Sequence, residues 1–343
     1  MSLDRISLDG IILMPSSLLM FLSGLCKFIN PEAIPLYALI GLVFPFALFT
    51  FAIGLVLRVS RGYWKGLVWP LIILACSFLD IQKTVGGIAS DEGILSENSF
   101  SATSFNVRRM DEYNWIEGDL TRKDLWKWLG ENDSEILCLQ EFPSKMKGQL
   151  SKTLGNYSVF TSGQTSGTAI ATSLQVIDNG KWVVSGEEIT RGVFVDVIIG
   201  TDTLRVLNVH LQSVGLGSDD YDAVRDGTDS EDRKRLISRL SRAYSLRAKQ
   251  ARELNKTISI SPYNVLLAGD FNDTPVSYAV NAIENLHDAF TVAGLGLGAT
   301  YIGDLQGLRI DYLMYTDGLS AVDFTTCNIK LSDHRPITAQ FNF

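Results

Sequence analysis

Asn, Glu, Asp and His side chains recur where hydrophobic stretches of this 343-residue sequence end or begin. The set comprises Asn106, Glu141, His210, Asp270, Asn272, Asp311, Asp333 and His334. A strand that ends in such a residue presents the side chain from a rigid element, as a preorganised site requires. We therefore expect these residues to converge on one site, although any single residue of this kind is more often a solvated strand end.

The residue types in this set predict a hard divalent cation and hydrolytic chemistry. Carboxylate and amide oxygens, with few cysteines in the chain, suit Mg²⁺ or Mn²⁺. Two histidines near such an ion can supply the base and the acid of a hydrolytic displacement. We expect the carboxylate of Asp311 to fix the tautomer of His334 and to support its imidazolium form.

The segment KLSDHRPITAQF contains one of only three histidines in the chain. Pro336 lacks an amide hydrogen and suits the first residue of a strand, and ITAQFNF then alternates apolar and polar residues. Asp333 and His334 are therefore predicted on a loop at the mouth of a strand, where catalytic groups collect. Taken alone, the pair could also be a turn Asp beside a surface His.

Short hydrophobic strands alternate with helices from residue 100 onward. The predicted strands are SFSATSFNV, EILCLQEF, TAIATSL, GVFVDVIIG, TLRVLNVHL, YNVLLAGDFN, RIDYLMYT, SAVDFTTCNI and ITAQFNF. DLTRKDLWKWLGEN has helical spacing, and a long polar helix is predicted from about Glu231 to Thr257. This pattern predicts an α/β domain with a mixed sheet.

Three hydrophobic blocks precede that domain and predict a transmembrane helical region over residues 1–83. They cover residues 10–29, 34–57 and 66–81, and about 20 apolar residues suffice to cross a bilayer. The first block could also be a cleavable signal peptide, and the third could pack as a shallower helix. A buried helical hairpin of a soluble protein is a further alternative.

The basic loop between the second and third blocks predicts the orientation of the chain. Arg58, Arg61 and Lys65 favour the cytoplasmic side. If all three blocks cross, the acidic linker 84–99 leads to a domain, residues 100–343, on the extracytoplasmic side. A third block that does not cross reverses this orientation.

Charge and cysteine content exclude other classes of protein. The net charge is −8; residues 1–83 hold six basic and four acidic residues, so residues 84–343 carry −10. An acidic domain does not offer the basic footprint on which broad nucleic-acid binding depends. The four cysteines are widely spaced, so they predict neither a zinc site nor a disulfide framework.

Six short motifs occur in the order seen in a known superfamily. SFNVR, LQEF, NVHL, GDFND, RIDY and SDHRP resemble the motifs of the endonuclease/exonuclease/phosphatase superfamily, over about residues 100–343. The stretches GDFNDTPVSY and DAFTVAGLGLGATY are similar to bacterial members with N-terminal transmembrane helices. The resemblance implies a four-layer α/β/β/α sandwich, the DNase I-like fold, with a site at one mouth of two sheets.

The resemblance also implies a role for each matched residue. It implies a metal set of Glu141, Asn106, Asp333 and Asp270, with Glu141 as the principal ligand. It implies a catalytic set of His334, His210, Asp311, Asp270 and Asn272. In this scheme Asp270 and Asn272 orient the attacking water, His334 acts with Asp311 as base or charge stabiliser, and His210 contacts the phosphate or protonates the leaving oxygen. Asn208 and Gln212 are weaker candidates.

The expected function is that of a membrane-anchored, Mg²⁺- or Mn²⁺-dependent phosphoesterase at a bacterial inner membrane. The alternatives are a nuclease acting on extracytoplasmic DNA or RNA, and a non-catalytic binding protein on the same fold. Phospholipid or sphingolipid headgroups, nucleic acid and sugar phosphates remain open as substrates. The sequence points to the lipid bilayer as a partner and to no obligate protein partner.

Overall fold

This computed structural model contains two β-sheets. Their strands include five of the predicted site residues, namely Asn106, Glu141, His210, Asp270 and Asp311. The structure describes residues 8–87, 94–112, 114, 120–215, 230–303 and 306–343. Within these residues the strands are β1 (Ser99–Asn106), β2 (Ile136–Phe142), β3 (Ser158–Thr161), β4 (Gly167–Thr172), β5 (Val176–Val183), β6 (Thr190–Ile199), β7 (Asp202–His210), β8 (Asn264–Asp270), β9 (His287–Asp288), β10 (Asp311–Tyr315), β11 (Ser320–Thr326) and β12 (Ile337–Asn342).

Each sheet has six strands and one parallel pair near its centre. The first sheet has the order β11-β12-β1-β2-β4-β3, and the second has the order β5-β6-β7-β8-β10-β9. β1 is parallel to β2, and β7 is parallel to β8. All other pairs of neighbouring strands in the two sheets are antiparallel. The predicted mixed α/β architecture is therefore confirmed as two mixed sheets with helices.

A hydrophobic core lies between the two sheets. Phe100 and Ile136 of the first sheet and Val195, Val206 and Leu266 of the second belong to one buried cluster. Each fully buried side chain of this size contributes about 1.5–3 kcal/mol, so this core holds the two sheets face to face.

The helices of the described chain fall into an apolar N-terminal group and a polar remainder. They are α1 (Leu8–Gly24), α2 (Ala38–Gly41), α3 (Phe44–Ser60), α4 (Val68–Cys76), α5 (Phe78–Val85), α6 (Leu120–Glu131), α7 (Lys147–Leu154), α8 (Ser230–Ser259), α9 (Tyr278–Asn281) and α10 (Ala289–Ala293). Leu125 and Leu129 of α6 are buried in a second cluster with Leu137 of β2 and Leu150 of α7. The helical spacing read in DLTRKDLWKWLGEN therefore corresponds to a helix that packs on the first sheet.

The chain divides into two compact units, and the first contains the apolar helices. It comprises Met1–Thr84, Ser213–Ala248 and Asp273–Ala282, whereas the second comprises Val85–Gln212, Lys249–Asn272 and Ile283–Phe343. Both sheets lie in the second unit. Part of the predicted linker 84–99 lies outside the described residues.

One N-terminal helix in the described chain is long and apolar enough to cross a membrane on its own. It is the 20-residue stretch Asp9–Phe28. The second and third hydrophobic blocks form bent pairs, Pro35–Gly41 with Phe44–Ser60 at 44° and Val68–Cys76 with Phe78–Val85 at 64°. The number of spans by length and composition is therefore one, or up to three if each bent pair counts as one.

Pro15 lies inside α1, where it removes one backbone hydrogen bond. The hydroxyls of the two serines that follow it are satisfied within the helix: Ser16 Oγ donates to Ile12 O at 2.7 Å, and Ser17 Oγ donates to Leu13 O at 2.6 Å. Apolar helices of membrane proteins tolerate such a proline better than exposed helices of soluble proteins do.

The nine predicted strands all occur, and the long helix predicted from Glu231 to Thr257 is α8. Three strands lie outside the prediction, namely β3, β5 and β9. β5 and β9 are edge strands of the second sheet, and β3 is an edge strand of the first. Edge strands are partly exposed, so their apolar pattern is weak.

Candidate active site

The predicted site residues converge at one end of the two central parallel pairs. Asn106 is the last residue of β1, Glu141 is the penultimate residue of β2, and His210 and Asp270 are the last residues of β7 and β8. Antiparallel β10 begins at Asp311, which pairs in register with Asp270. The sequence positions at strand ends thus become one cluster, because parallel strands end at a common edge.

Asp270 lies at the centre of this cluster and is 1% exposed. Its Oδ2 accepts a hydrogen bond from Asn106 Nδ2 at 2.9 Å, and its Oδ1 accepts one from the backbone N–H of Asn272 at 2.8 Å. His210 Nε2 lies 3.6 Å and His334 Nε2 lies 3.8 Å from the same Oδ2. Burial raises the pKa of Asp270, and the negative charge of Asp311 raises it further, against the opposing effects of both histidines and Asn106.

His334 is held by Asp311, as the sequence predicted. Its Nδ1 lies 2.9 Å from Asp311 Oδ2, and both side chains are buried. Burial by itself lowers the pKa of His334, but the nearby charges of Asp311, Asp270 and Asp333 outweigh it and raise the pKa to about 10. The surrounding carboxylates therefore favour the protonated form of His334.

Glu141 presents the more accessible carboxylate of the site, with its side chain 27% exposed. Its Oε1 lies 3.9 Å from His210 Nε2. The backbone of Glu141 has a φ of 51°, next to a register shift between β2 and β4. Asn272 has a φ of 53°. A non-glycine residue in this region costs about 1–3 kcal/mol, and such outliers cluster at functional sites.

The donor set fits a hard divalent cation. Ligand atoms of Asp270, Asp311 and His334 lie within 4.8 Å of one another in a buried group, and Glu141 adds a carboxylate beside it. Two atoms at the site are buried and make no hydrogen bond to the described residues, namely His210 Nε2 and Asp311 Oδ1. Because buried polar atoms are normally satisfied, these two fit a site completed by an external ion, water or substrate oxygen.

Asn106 and Asp333, the other two predicted metal ligands, contact protein groups at the site. Asn106 uses its Nδ2 for Asp270, and its Oδ1 accepts the backbone N–H of Arg108 at 3.0 Å. Asp333 Oδ2 lies 3.3 Å from Arg108 Nε. Arg108 thus contacts both residues and places a guanidinium at the edge of the carboxylate cluster.

The turn that carries Arg108 could not be read from the sequence. Residues Arg108–Asp111 all have positive φ, between 42° and 59°. Successive left-handed residues are costly, at about 1–2 kcal/mol each. Arg122 of α6 secures the turn, because its Nε donates to Met110 O at 3.1 Å and its Nη2 donates to Asp111 O at 3.2 Å.

Sequence reasoning also missed the support of the loop that carries Asp333 and His334. The ring of Tyr301 meets the ring of His334 edge-on, with centroids 5.2 Å apart. Ile302 N–H donates to Asp333 O at 2.8 Å, and Arg335 N–H donates to Thr300 O at 2.7 Å. Segment 300–302 therefore fixes this loop from one side, a role that the resemblance of the stretch DAFTVAGLGLGATY did not indicate.

The remaining candidates separate into distinct places. Asn208 is fully buried, and its Nδ2 donates to Leu139 O and Ala169 O across the two sheets, so it serves the core. Gln212 lies two residues beyond His210 and bonds to Arg191 and Gln250. His287 is exposed and pairs with Asp317 at 2.6 Å, so it is a surface histidine.

The sequence profile of the endonuclease/exonuclease/phosphatase family matches residues 103–334. No curated protein sequence matches the chain.

Several solved structures share the fold. D. rerio TDP2 complexed with single-strand DNA product has a TM-score of 0.55 at 17% identity, covering 71% of this chain and 99% of that chain. The mannosyl-6-phosphatase of Bacteroides thetaiotaomicron VPI-5482 has a TM-score of 0.53 at 14% identity, covering 71% and 100%. A 3′ phosphatase from Neisseria bound to product DNA hairpin has a TM-score of 0.51 at 18% identity, covering 71% and 100%. At these identities the likeness establishes a common fold, the DNase I-like fold, and nothing further.

Proposed function

Because the chain belongs to the endonuclease/exonuclease/phosphatase family, we propose that it is a membrane-anchored, divalent-metal-dependent phosphoesterase. It hydrolyses a phosphodiester or a phosphomonoester with a water activated at the cluster around Asp270. The proposal includes the four-layer α/β/β/α arrangement of residues 100–343 and the division into a membrane region, 1–83, and a linker, 84–99.

One observation carries the proposal: a buried carboxylate, Asp270, lies between two histidines beside a more exposed carboxylate. His210 Nε2 and His334 Nε2 approach Asp270 Oδ2 to 3.6 Å and 3.8 Å. A purely structural core would not need four titratable groups at one strand edge, since burial of each charge is costly. Groups with shifted pKa values in such a cluster are characteristic of catalysis.

Glu141 is the residue we propose as the principal holder of Mg²⁺ or Mn²⁺, with Asp270 beside it. Asn106 and Asp333 are proposed to support the ion from the surrounding shell, since Asn106 bonds to Asp270 and Asp333 faces Arg108. When bound, such an ion supplies Lewis-acid stabilisation of the charge on the phosphoryl oxygens.

The directions of the pKa shifts support a proposed division of the proton-transfer roles. A carboxylate whose pKa is raised is a stronger base than an ordinary one, so Asp270 accepts the proton of the attacking water. The Asn272 backbone N–H holds Asp270 Oδ1 in place. His334, protonated and oriented by Asp311, donates a hydrogen bond to a phosphate oxygen and stabilises its charge.

His210 is the proposed donor to the leaving oxygen. Its Nε2 faces Glu141 Oε1 and Asp270 Oδ2 and makes no hydrogen bond within the described residues. The side chain as a whole is 18% exposed, and its buried Nε2 points into the cluster where the substrate phosphate is proposed to bind. A protonated His210 can therefore give its proton to the alkoxide that leaves the phosphorus, as a general acid does.

The test is hydrolysis of bis(p-nitrophenyl) phosphate and p-nitrophenyl phosphate by the full chain in detergent, with Mg²⁺ or Mn²⁺. We expect His334→Ala and Asp270→Ala to lower kcat on the order of 10²–10⁴-fold, the usual contribution of acid–base groups. His287→Ala is the matched control and keeps full activity, since His287 lies at the surface beside Asp317. Full activity of either site variant contradicts the proposal.

The proposed membrane anchor is a helical bundle whose charged side chains lie at its two ends. Asp9 Oδ2 pairs with Arg58 Nη1 at 2.9 Å, and Lys27 Nζ pairs with Asp80 Oδ1 at 2.7 Å. The 20-residue stretch Asp9–Phe28 between the two pairs is about 30 Å long, close to the thickness of the hydrocarbon core.

Exposed apolar side chains on three helices support insertion into lipid. They include Met14, Leu18, Phe49, Val56, Leu71 and Ile72. We propose three crossings, with Arg58 and Arg61 on the cytoplasmic side of a bacterial inner membrane and residues 100–343 on the opposite side. A reporter enzyme fused after Lys83 tests this: activity on the cytoplasmic side contradicts it.

The substrate is proposed to be a phosphoester of a lipid headgroup, of a nucleic acid or of a sugar. The bilayer anchor favours the first, and no obligate protein partner is required. A nuclease is the second candidate, since solved structures of this fold include complexes with DNA products. A panel of sphingomyelin, lysolipid, single-strand DNA, double-strand DNA and sugar phosphates with the metal present separates these classes, and inactivity on all of them favours a non-catalytic binding protein.

A further inference from the structure

Four side chains form a closed ring of hydrogen bonds behind the site. Gln250 of α8 donates from Nε2 to Glu187 Oε1 at 2.9 Å. Arg191 of β6 donates from Nε to Glu187 Oε2 at 2.6 Å and from Nη2 to Gln212 Oε1 at 2.7 Å. The backbone N–H of Gln212 closes the ring by donating to Gln250 Oε1 at 2.9 Å.

The orientation of each group in this ring is fixed by chemistry. A backbone N–H only donates and a guanidinium only donates, so Gln250 Oε1 must face Gln212 N, and Gln212 Oε1 must face Arg191. Gln250 Nε2 is then left to face Glu187. Gln250 is fully buried and the Arg191 and Glu187 side chains are 13% and 11% exposed, so each bond that is lost leaves a buried group unsatisfied.

The ring holds the segment that presents His210. Gln212, which is bonded twice by the ring, follows His210 by two residues. Between them, Leu211 N–H donates to Asp270 O at 3.0 Å, and Leu211 O accepts from Asn272 Nδ2 at 3.2 Å. The chain just beyond β7 is thereby bonded at consecutive residues, to the site on one side and to the ring on the other.

We propose that this ring positions His210, and that Gln250, Glu187 and Arg191 are positioning residues for the reaction. The role of His210 rests on the proposed function, but its placement by the ring does not. The ring acts on His210 through the backbone of Gln212.

The decisive variants exchange the two partners of one bond in the ring. Gln250→Glu keeps an acceptor for Gln212 N–H but turns the donor toward Glu187 into a second acceptor, so two carboxylates face each other. Adding Glu187→Gln restores every bond, because the new amide donates to the new carboxylate and still accepts from Arg191, and the net charge equals that of the native ring. Glu187→Gln alone removes one bond and completes a double-mutant cycle.

The matched control lies between the same two strands. Arg205 of β7 bonds through Nε and Nη2 to Asp196 of β6 at 2.8 Å and 2.7 Å. Asp196→Asn breaks a half-buried ion pair of the same kind, five residues before His210 along β7, and leaves the ring intact. A loss of stability alone is common to this control and to the ring variants.

The measurement uses the three histidines of the chain as probes. The full-length protein is labelled with ¹³C-histidine in detergent, so that His210, His287 and His334 each give one ring signal, assigned by single His→Ala variants. We expect Gln250→Glu to shift or broaden the His210 signal and leave that of His287 unchanged. We expect the double variant to return the His210 signal to its native position. We expect the control Asp196→Asn to show the His210 signal at the native position.

Kinetics provide the second readout. On bis(p-nitrophenyl) phosphate, Gln250→Glu lowers kcat by about 10–100-fold with little change in KM, as misplacement of a reacting group does, and the double variant recovers kcat to within about twofold. The inference is overturned if folded Gln250→Glu keeps the native His210 signal, or if the restored ring does not restore it. A wild-type protein inactive on every substrate refutes the proposed function, and the His210 signal then decides the inference by itself.

Discussion

Asp311 acts at the residue scale through one short contact with His334. Its Oδ2 lies 2.9 Å from His334 Nδ1, and its charge is the largest influence that keeps the pKa of His334 high against burial. An amide in its place loses that charge and can turn its NH₂ toward the ring.

We therefore expect Asp311→Asn to reduce kcat by roughly 100-fold or more while leaving the fold intact, since it removes the orientation and the charge of the imidazolium together. The histidine ring signals of the labelled protein should show a change at His334 and none at His287. A variant with native kcat would separate Asp311 from the chemistry.

Glu141 and Asp333 are both carboxylates of the predicted metal set, but they have different neighbours. Glu141 is partly exposed at the cluster beside His210, whereas Asp333 already faces Arg108 at 3.3 Å. We expect Glu141→Gln to raise the Mg²⁺ or Mn²⁺ concentration for half-maximal activity by more than about 10-fold. We expect Asp333→Asn to raise it less, because outer-shell groups act indirectly.

A metal titration of activity, after removal of endogenous ions with EDTA, measures both values. Equal effects of the two substitutions would mean that Asp333 leaves Arg108 when the ion binds. No recovery of the wild-type protein on adding metal would remove the cation from the proposal altogether.

Residue types at strand ends predicted which side chains lie together in the candidate site. They did not predict the direction in which each side chain points. The family resemblance implied that Asn106 is a metal ligand. Its oxygen accepts the Arg108 N–H because the chain turns left-handed directly after β1. A left-handed turn of four non-glycine residues has no sequence signature, so neither the contact of Arg108 with Asp333 nor the direction of the Asn106 amide could be foreseen.

At the scale of elements, two glycines allow strand β7 to approach both of its neighbours beside the site. Val209 of β7 pairs in register with Gly192 of β6 and with Gly269 of β8. A Cβ on Gly269 would collide with the carbonyl oxygen of Val209, and one on Gly192 would lie 2.7 Å from the carbonyl oxygen of Asn208. These are backbone atoms, so they cannot yield without displacing a strand.

Gly269 directly precedes Asp270 in β8 and pairs with Val209, the residue before His210 in β7, so we expect Gly269→Ala to disturb both His210 and Asp270. The substitution should lower the free energy of unfolding by about 1–3 kcal/mol, as overpacking does, and should also lower kcat because the two catalytic strands separate. Thermal unfolding and kinetics of the same sample measure the two effects. Gly148→Ala is the control, since no heavy atom lies within 4 Å of the added Cβ; an equal loss in both variants would contradict the steric argument.

Apolar periodicity predicted central strands because those strands are buried on both faces. β8 is buried at all but its first residue, whereas β5 is mostly exposed along VIDNGKWV.

Hydrophobicity alone could not locate the breaks inside the second and third N-terminal blocks. A bend at Ser77 or near Val43 changes the helix axis without changing the composition of the segment.

Charge and hydropathy are divided unevenly over the whole molecule. The apolar N-terminal helices expose large side chains outward, yet their charged residues pair at two levels, Asp9 with Arg58 and Arg61, and Lys27 with Asp80. Paired charges bounding an apolar belt are what a bilayer requires of a helical bundle. This distribution follows from the sequence, but the pairing partners, about 50 residues apart, follow only from the packing.

Cys76 provides a direct probe of that belt. It is exposed at the end of α4, a nine-residue helix that begins at Val68. Nine residues rise by about 13 Å, so Cys76 lies near the middle of a hydrocarbon core about 30 Å thick if α4 and α5 together form one broken span.

We expect a membrane-impermeant maleimide to leave Cys76 unmodified in intact membranes and to label it after solubilisation and mild denaturation, because a thiol within lipid meets no aqueous reagent. Ser60→Cys, at the exposed end of α3 beside Arg61, should be labelled in membranes opened to expose both faces. The assay is a gel shift with a polyethylene-glycol maleimide on a chain in which Cys26, Cys138 and Cys327 are replaced by Ala, and Cys76→Ala is added for the Ser60→Cys measurement. Labelling of Cys76 as fast as Ser60→Cys in membranes would mean that this apolar face lies in water, and the exposed side chains of α4 would then have to be covered by another protein surface.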